Sequence, residues 1–302
     1  VDAENGEVLF ADKSDYVGPP ASVTKLMTFL IVHDAIEAGE ISLSTLVTVS
    51  AEDSRMGGTQ VWLKHNEVFT VEELLYALMI QSANDAAHAL SHTAAPDRTR
   101  FVAKMNARAQ QLGMTDTVWR TPHGLPPRSR KLSETDQTSP RDLAKLSVEL
   151  LRETNVLRYS MVKSHLFGAG SRAKPVMMRT HNHLVGKVKG VDGLKTGFTR
   201  AAGFCLSATA IRDGRRIVAV LMGCPTSQER DIRMAELIEE TFANTTPTPF
   251  SRAPEKPAFT RAPITKKHEL PTLDIAPIDL SLDPEGPLPA QSEPPTVVFE
   301  LP

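Results

Sequence analysis

Between about Ser22 and Ala38 the chain carries a helical segment with almost no polar face, and that segment constrains everything built around it. Leu26, Met27, Phe29, Leu30, Ile31 and Val32 leave no polar stripe for two turns. A helix apolar on nearly all sides has to be buried on nearly all sides, so other elements must surround it. Pro19-Pro20 precede it, and Gly39 closes it where a left-handed backbone is cheap. His33, Asp34 and Glu37 interrupt the apolar run, and no run in the chain reaches the ~20 residues needed to span a bilayer. One residue conflicts with these surroundings. Lys25 stands one turn inside the helix, and burying an unpaired ammonium is expensive.

Lys25 belongs to the first of three short motifs that follow one another along the chain: Ser22-Val-Thr-Lys25, Ser82-Ala-Asn84 and Lys195-Thr-Gly197. Each alone says little. An S-x-x-K pattern arises by chance about once in a chain of this size, and Ser160-Met-Val-Lys163 and Ser171-Arg-Ala-Lys174 also match it. Only the first copy precedes an S-x-N and a K-T-G, each of which occurs once.

The ordered set describes an active-site serine served by lysine. A serine hydroxyl needs a base within hydrogen-bond reach to act as a nucleophile. Positions i and i+3 of a helix are neighbours, so Lys25 can point its amine at Ser22. The amine works as a base only if its pKa falls well below the ordinary ~10.4, and burial together with a second cation would lower it. Lys195 is the candidate for that cation. Taken singly, Ser22 and Lys25 would read as a helix cap and a solvated lysine; the apolar helix argues otherwise. Ser82 and Asn84 fall in a break between two helices, where a hydroxyl can relay a proton and a carboxamide can hold a peptide amide as donor and acceptor. Lys195-Thr-Gly197 is expected at the start of a strand. Its ammonium and the Thr196 hydroxyl suit a substrate carboxylate, and Gly197 leaves room for a substrate backbone to lie along the edge.

Around these motifs the chain alternates between two periods. Asn5-Gly6 with Val8-Leu9-Phe10 predicts an N-terminal hairpin. Thr70-Val-Glu-Glu73 is a capping box, with Glu73 expected to reach back, that opens a helix to about Ile80; a second stretch follows from Asp85 to about His92. Helices are expected from about Asp97 to Leu112 and from Pro140 to Arg152, the latter capped by Ser139. Past Gly193 the period becomes two: Gly203 to Ile211 and Arg216 to Gly223 form a hairpin about Asp213-Gly214. A last helix, about Ser227 to Phe242, is expected to bury Ile232, Leu237 and Ile238. Strands at both ends with helices between predict an α+β design, an antiparallel sheet packed by helices.

The 302 residues allow one large domain or two. Thirteen of the 22 prolines lie from Pro247 onward, so residues 1–246 are expected to be the folded domain and 247–302 an extended, disordered tail or linker. A net charge of −2 supplies no field for nucleic acid or anionic lipid. Cys205 and Cys224 make no disulfide framework and read as structural thiols. The chain opens at Val1 without an initiator methionine, so any signal peptide would lie outside it.

With its motifs in this order the chain resembles the penicillin-binding D-alanyl-D-alanine carboxypeptidases, the low-molecular-mass serine DD-peptidases. The likeness extends to Pro20-Ala-Ser-Val-Thr-Lys-Leu-Met-Thr28, Gln81-Ser-Ala-Asn-Asp-Ala-Ala87, Leu112-Gly-Met-Thr115, His123-Gly-Leu125 and Val191-Asp-Gly-Leu-Lys-Thr-Gly-Phe-Thr199, and covers about Val1 to Phe242. The resemblance implies a transpeptidase-like fold of the DD-peptidase and β-lactamase type, with the site between an antiparallel sheet and a helical cluster. It implies a periplasmic or cell-envelope enzyme acting on peptidoglycan stem peptides, with β-lactams as covalent inhibitors and no cofactor or metal. Ser22 would attack the carbonyl between two terminal D-alanines, Lys25 would take its proton, and Ser82 with Lys195 would return one to the leaving D-alanine. Backbone N–H groups of Ser22 and Phe198 would form the oxyanion hole, and Lys195, Thr196 and Thr199 would bind the terminal carboxylate. Phe198 departs from the family, which often carries a histidine or another polar or aromatic residue there. The second β domain and amphipathic membrane anchor of many relatives are not evident, so membrane attachment is not expected from this chain. His123 is expected to serve its turn rather than act as base. The motifs leave open a DD-endopeptidase cutting crosslinks, or a penicillin-binding sensor that acylates without turnover. A class A β-lactamase fits poorly, because no E-x-x-L-N run lies between Ser82 and Lys195.

Overall fold

The computed structural model describes residues 1–129 and 131–244. The expected boundary at 246/247 and the proline-rich tail lie outside the described residues.

The apolar segment behaves as its composition demands. It opens as a 3-10 turn, Ala21–Thr24, and continues as helix α1, Lys25–Glu37. Every residue from Val23 to Val32 is buried, and Gly39 takes φ +72° just beyond the end. The largest core cluster wraps α1 with residues of α2 (Val71–Tyr76), α3 (Asn84–Thr93), α4 (Arg98–Gln111) and α5 (Pro140–Glu153). Each fully buried Leu, Ile, Phe or Met contributes about 1.5–3 kcal/mol of transfer free energy, so α1 is a main source of cohesion.

Two caps, Thr70 and Ser139, stand where the sequence places them, and Asp97 caps the helix expected to start there. Thr70 Oγ1 accepts from Glu73 N–H, Asp97 Oδ1 from Arg100 N–H and Ser139 Oγ from Asp142 N–H. Only half of the predicted capping box forms, however. The Glu73 carboxylate accepts instead from Gly168 N–H at 2.8 Å and lies 3.1 Å from His165 Nε2, because strand β3 (Ser164–Phe167) packs beside it. From Ala77 to Gln81 the chain after α2 widens into a π-helical turn that ends at Ser82. A small helix, α6 (Leu157–Ser160), precedes β3.

Two ribbons and one larger sheet complete the fold. Strands β1 (Leu46–Thr48) and β2 (Val68–Thr70) pair antiparallel, as do β3 and β4 (Val176–Arg179). The main sheet is β5 (Val191–Thr199), β6 (Gly203–Arg212) and β7 (Arg215–Cys224), antiparallel in that order. Its two faces are covered differently. Leu206, Ala208, Ala210, Ile217 and Ala219 pack with Met234 and Ile238 of helix α7 (Ser227–Asn244). Val218 packs with Ala144 and Val148 of α5, and Ser207 Oγ lies 2.7 Å from Ser147 Oγ. The α+β architecture is therefore as expected, with the helical cluster on one side of an antiparallel sheet.

Three local expectations fail. The N-terminal hairpin does not form: Asn5-Gly6 does turn, but Val8 and Phe10 are exposed and outside any strand. Instead Val1 exchanges backbone bonds of 2.8 Å with Val218, and Ala3 N–H donates to Arg216 O, covering the outer edge of β7. An open edge offers unpaired amides, and they outcompete a two-residue local pairing. In α7 Ile238 is buried and Leu237 packs against the sheet as expected, but Ile232 is 49 % exposed, and Arg230 and Met234 are buried instead. Lys195-Thr-Gly197 lies inside β5 rather than at its start.

Candidate active site

The 3-10 turn leaves Ser22 half-buried at the mouth of α1, second in a helix whose first N–H groups have no intrahelical acceptor. Lys25 is fully buried. Its Nζ lies 3.0 Å from Ser22 Oγ, 2.7 Å from Asn84 Oδ1 and 2.7 Å from His123 O. An ammonium can donate to all three. A neutral amine can keep both N–H groups on the two carbonyl oxygens and turn its lone pair to the serine proton. Burial pushes the Lys25 pKa well below its ordinary value, the Lys195 cation lowers it further, and Asp136 and Asp85 partly oppose them. The site can therefore present the base form of lysine against the Ser22 hydroxyl.

His123 contributes through its backbone. The carboxylate of Asp136 accepts from Arg120 N–H, Thr121 N–H, Thr121 Oγ1 and Thr24 Oγ1. Thr28 Oγ1 donates to Pro122 O. Together they hold the 120–124 turn so that the His123 carbonyl faces Lys25. Gly124 sits there at φ +81°, and a Cβ on it would meet Ala21 O at 2.0 Å. The imidazole of His123 is buried, its Nδ1 accepts from Leu125 N–H, and burial with the Lys25 charge depresses its pKa. The structural role expected for it is the one observed.

Ser82 is buried in a left-handed conformation, φ +61°, directly after the π turn. Asn84, expected to hold a substrate amide, is engaged inside the protein. Its oxygen accepts from Lys25, its Nδ2 donates to Gly57 O at 2.9 Å, and its backbone N–H donates to Thr59 O at 2.8 Å. One side-chain N–H is left for a ligand, and the main observed contact of Asn84 is to the lysine. Asp85 continues the lacing, accepting from Val61 and Leu63 N–H.

Strand β5 brings the third motif. Lys195 pairs with Ser207 and Gly197 with Cys205, so both face the helical side of the sheet, where Ser22 lies. Lys195 is 2 % exposed and its Nζ donates to Thr196 O. Burial, and after it the charge of Arg230, lower its pKa to about 7. Gly197 also has a packing reason beside the one anticipated. A Cβ there would lie 2.5 Å from Pro20 O and 3.0 Å from Ser22 N, so its absence admits the turn that carries Ser22. Thr196 pairs with Leu206 and thus faces α7. Phe198 is 52 % exposed and stacks on Phe204 at 4.1 Å. Thr199 Oγ1 accepts from Ala202 N–H in the following turn, with its own proton still available.

Sequence reasoning missed Asp136, the His123 carbonyl and Arg230. The first two act through backbone geometry that no local pattern announces. Arg230 is a charged residue buried in a surface-like helical repeat, and only the proximity of β5 exposes its significance.

The Peptidase S11 family model, D-alanyl-D-alanine carboxypeptidase, matches residues 1–226. The chain is 32% identical over 243 residues to D-alanyl-D-alanine carboxypeptidase DacF of Bacillus subtilis, covering 80% of this chain and 61% of that protein. It is 32% identical over 206 residues to the D-alanyl-D-alanine endopeptidase of Haemophilus influenzae, covering 68% of this chain and 66% of the other. Among solved structures, penicillin-binding protein D2 of Listeria monocytogenes in its ampicillin-bound form superposes with a TM-score of 0.70 at 30% identity, covering 80% of this chain and 94% of that one. The chain spans about three fifths of the length of the curated carboxypeptidases first among its matches, 61% and 60%.

Proposed function

Since this chain belongs to the D-alanyl-D-alanine carboxypeptidase family, we propose that it removes the terminal D-alanine from peptidoglycan stem peptides through an acyl-enzyme on Ser22. The observation that carries this reading is the fully buried Lys25 amine, 3.0 Å from the Ser22 hydroxyl and supported by two carbonyl oxygens. Neutral Lys25 takes the Ser22 proton as Oγ attacks the carbonyl carbon between the two D-alanines. The negative charge that develops on the carbonyl oxygen falls to the Ser22 and Phe198 N–H groups, and donors of this kind supply about 2.7–4 kcal/mol apiece. Lys195, with Thr199, attracts the terminal carboxylate, whereas Thr196, turned to α7, does not reach it from this face, and the buried Arg230 adds positive field behind them. Lys25 then releases its proton by way of Ser82 to the departing amine. Water hydrolyses the ester that remains, and a β-lactam, whose acyl group is not displaced so readily, stays on Ser22. Such an enzyme acts in the cell envelope, the compartment of its substrate.

A second reading keeps the same steps on a crosslink, and the match to an endopeptidase favours carrying it forward. The cluster of Lys195 and Arg230 suits a free carboxylate better than an internal peptide bond. Incubation with a pentapeptide ending in D-Ala-D-Ala should release D-alanine continuously, and a crosslinked dimer should be cut slowly or not at all. Release that stops at one equivalent per protein would replace the enzyme with a penicillin-binding sensor, and preferential cleavage of the dimer would replace the carboxypeptidase with an endopeptidase.

A further inference from the structure

Away from the serine, two imidazoles and a carboxylate meet. His88 and His92 lie four residues apart on α3, so both rings project from one side of the helix. Asp53, from the 3-10 turn Asp53–Arg55, faces them across the gap. His88 Nδ1 is 2.6 Å from Asp53 Oδ1, and His92 Nε2 is 3.0 Å from Oδ2. The three donor atoms fall within 4.8 Å of one another. Asp53 and His88 are buried, whereas the His92 side chain is 32% exposed, which opens the cluster to solvent on one side. The carboxylate is itself aimed: Oδ2 accepts from Ser50 N–H at 2.7 Å, and Asp53 N–H donates to Ser50 Oγ. Metal sites orient their ligating carboxylates by such outer hydrogen bonds.

We propose that Asp53, His88 and His92 bind a divalent transition-metal ion of the zinc type, outside the peptidase chemistry, and so pin the 50–59 segment to α3. Two imidazole nitrogens and one carboxylate oxygen suit zinc, whereas calcium and magnesium take oxygen shells. Three protein ligands leave a fourth tetrahedral position for water on the exposed side beside His92. Binding exchanges the two imidazole–carboxylate contacts for coordination: the facing nitrogens give up their protons, so uptake weakens in acid. The pinned segment also carries Gly57 and Thr59, whose carbonyls hold Asn84 one turn before His88. The ion would stiffen the frame around Lys25 without touching a reacting atom.

The test uses the full chain, stripped with chelator and titrated with Zn²⁺ by calorimetry and with Co²⁺ by visible absorption. About one ion should bind per chain, and zinc at about a hundred times its Kd should raise Tm by about 5–10 °C. His92→Gln, at a partly exposed ring, and Asp53→Asn should each lose binding or weaken it by at least ~10-fold, with unchanged circular dichroism showing that the variants are folded. Failure of the wild type to take up either ion in large excess, or equal uptake by both variants, would overturn the proposal and leave Asp53 as a hydrogen-bond acceptor for two histidines.

Discussion

In the proposed reaction Lys25 takes a proton from Ser22 and later gives it up, which an amine fixed as ammonium cannot do. Its depressed pKa is a balance among burial, the Lys195 charge and two carboxylates, and Asn84 sits at the point where that balance is easiest to tip. Asn84→Asp would place an anion 2.7 Å from Nζ. Opposite charges at such range shift a pKa by about 1–3 units, so acylation by penicillin at neutral pH should fall about 10–1000-fold and recover as pH rises. Stopped-flow acylation at several pH values checks this, and an unchanged neutral rate would mean that lysine protonation does not limit the step. Lys195 titrates at about 7. If Lys195 meets the substrate carboxylate as proposed, deprotonation removes that charge, so kcat/KM for a peptide with a free terminus should decline as pH rises above about 7. A level profile over the next two pH units would remove Lys195 from that role. The decoy motifs separate at this scale too. Ser160 ends α6 and donates to Asp192 O, with Lys163 beyond the helix, and Ser171 donates to Gly168 O in a turn. A fluorescent penicillin should label Ser160→Ala and Ser171→Ala but not Ser22→Ala; label on the last would mean another nucleophile.

Elements meet at this site with almost no tolerance. The turn that carries Ser22 is pressed between Gly124 of the 120–124 loop and Gly197 of β5, and neither position has room for a methyl group. Gly197→Ala should push β5 from the nucleophile turn, costing about 1–3 kcal/mol of stability as overpacking does and abolishing acylation well beyond what that loss explains. Urea denaturation alongside penicillin labelling reads both; full labelling with wild-type stability would show the contact to be slack. Helices and two of their caps were legible because Thr70 and Ser139 act within one turn of the backbone they serve. The N-terminal hairpin, the Glu73 half of the capping box and the place of Ile232 on α7 were misread for a common reason. Each was settled by a partner distant in sequence: the open edge of β7, Gly168 of the neighbouring turn, and the apolar face of the main sheet.

For the whole molecule, two buried lysines couple stability to pH in a fixed direction. Both have native pKa values below the ordinary 10.5, Lys195 at about 7 and Lys25 well below its usual range. Between about 7 and about 10.5 the unfolded chain holds a proton at Lys195 that the native state does not, so its contribution to stability rises with pH across that window, and Lys25 acts in the same direction. Below about 7 the penalty from Lys195 is fully present. Wild type should therefore gain stability relative to Lys195→Met between about pH 7 and pH 9, by at most ~1.4 kcal/mol per pH unit, measured as the difference in urea unfolding free energy. An equal response in both proteins would mean that Lys195 titrates normally. Among the described residues no helix is long and apolar enough to cross a membrane.

From its sequence alone the protein is committed to a buried central helix, to three motifs in a fixed order and to the family that owns them, because apolar periodicity and short-range spacing are properties of the chain itself. Tertiary structure decided how closely the Lys25 amine meets Ser22, which oxygens hold that amine, and which glycines the fold requires. Those outcomes depend on desolvation and on contacts between residues about 60 to 175 apart in the chain, and neither is encoded in any local stretch.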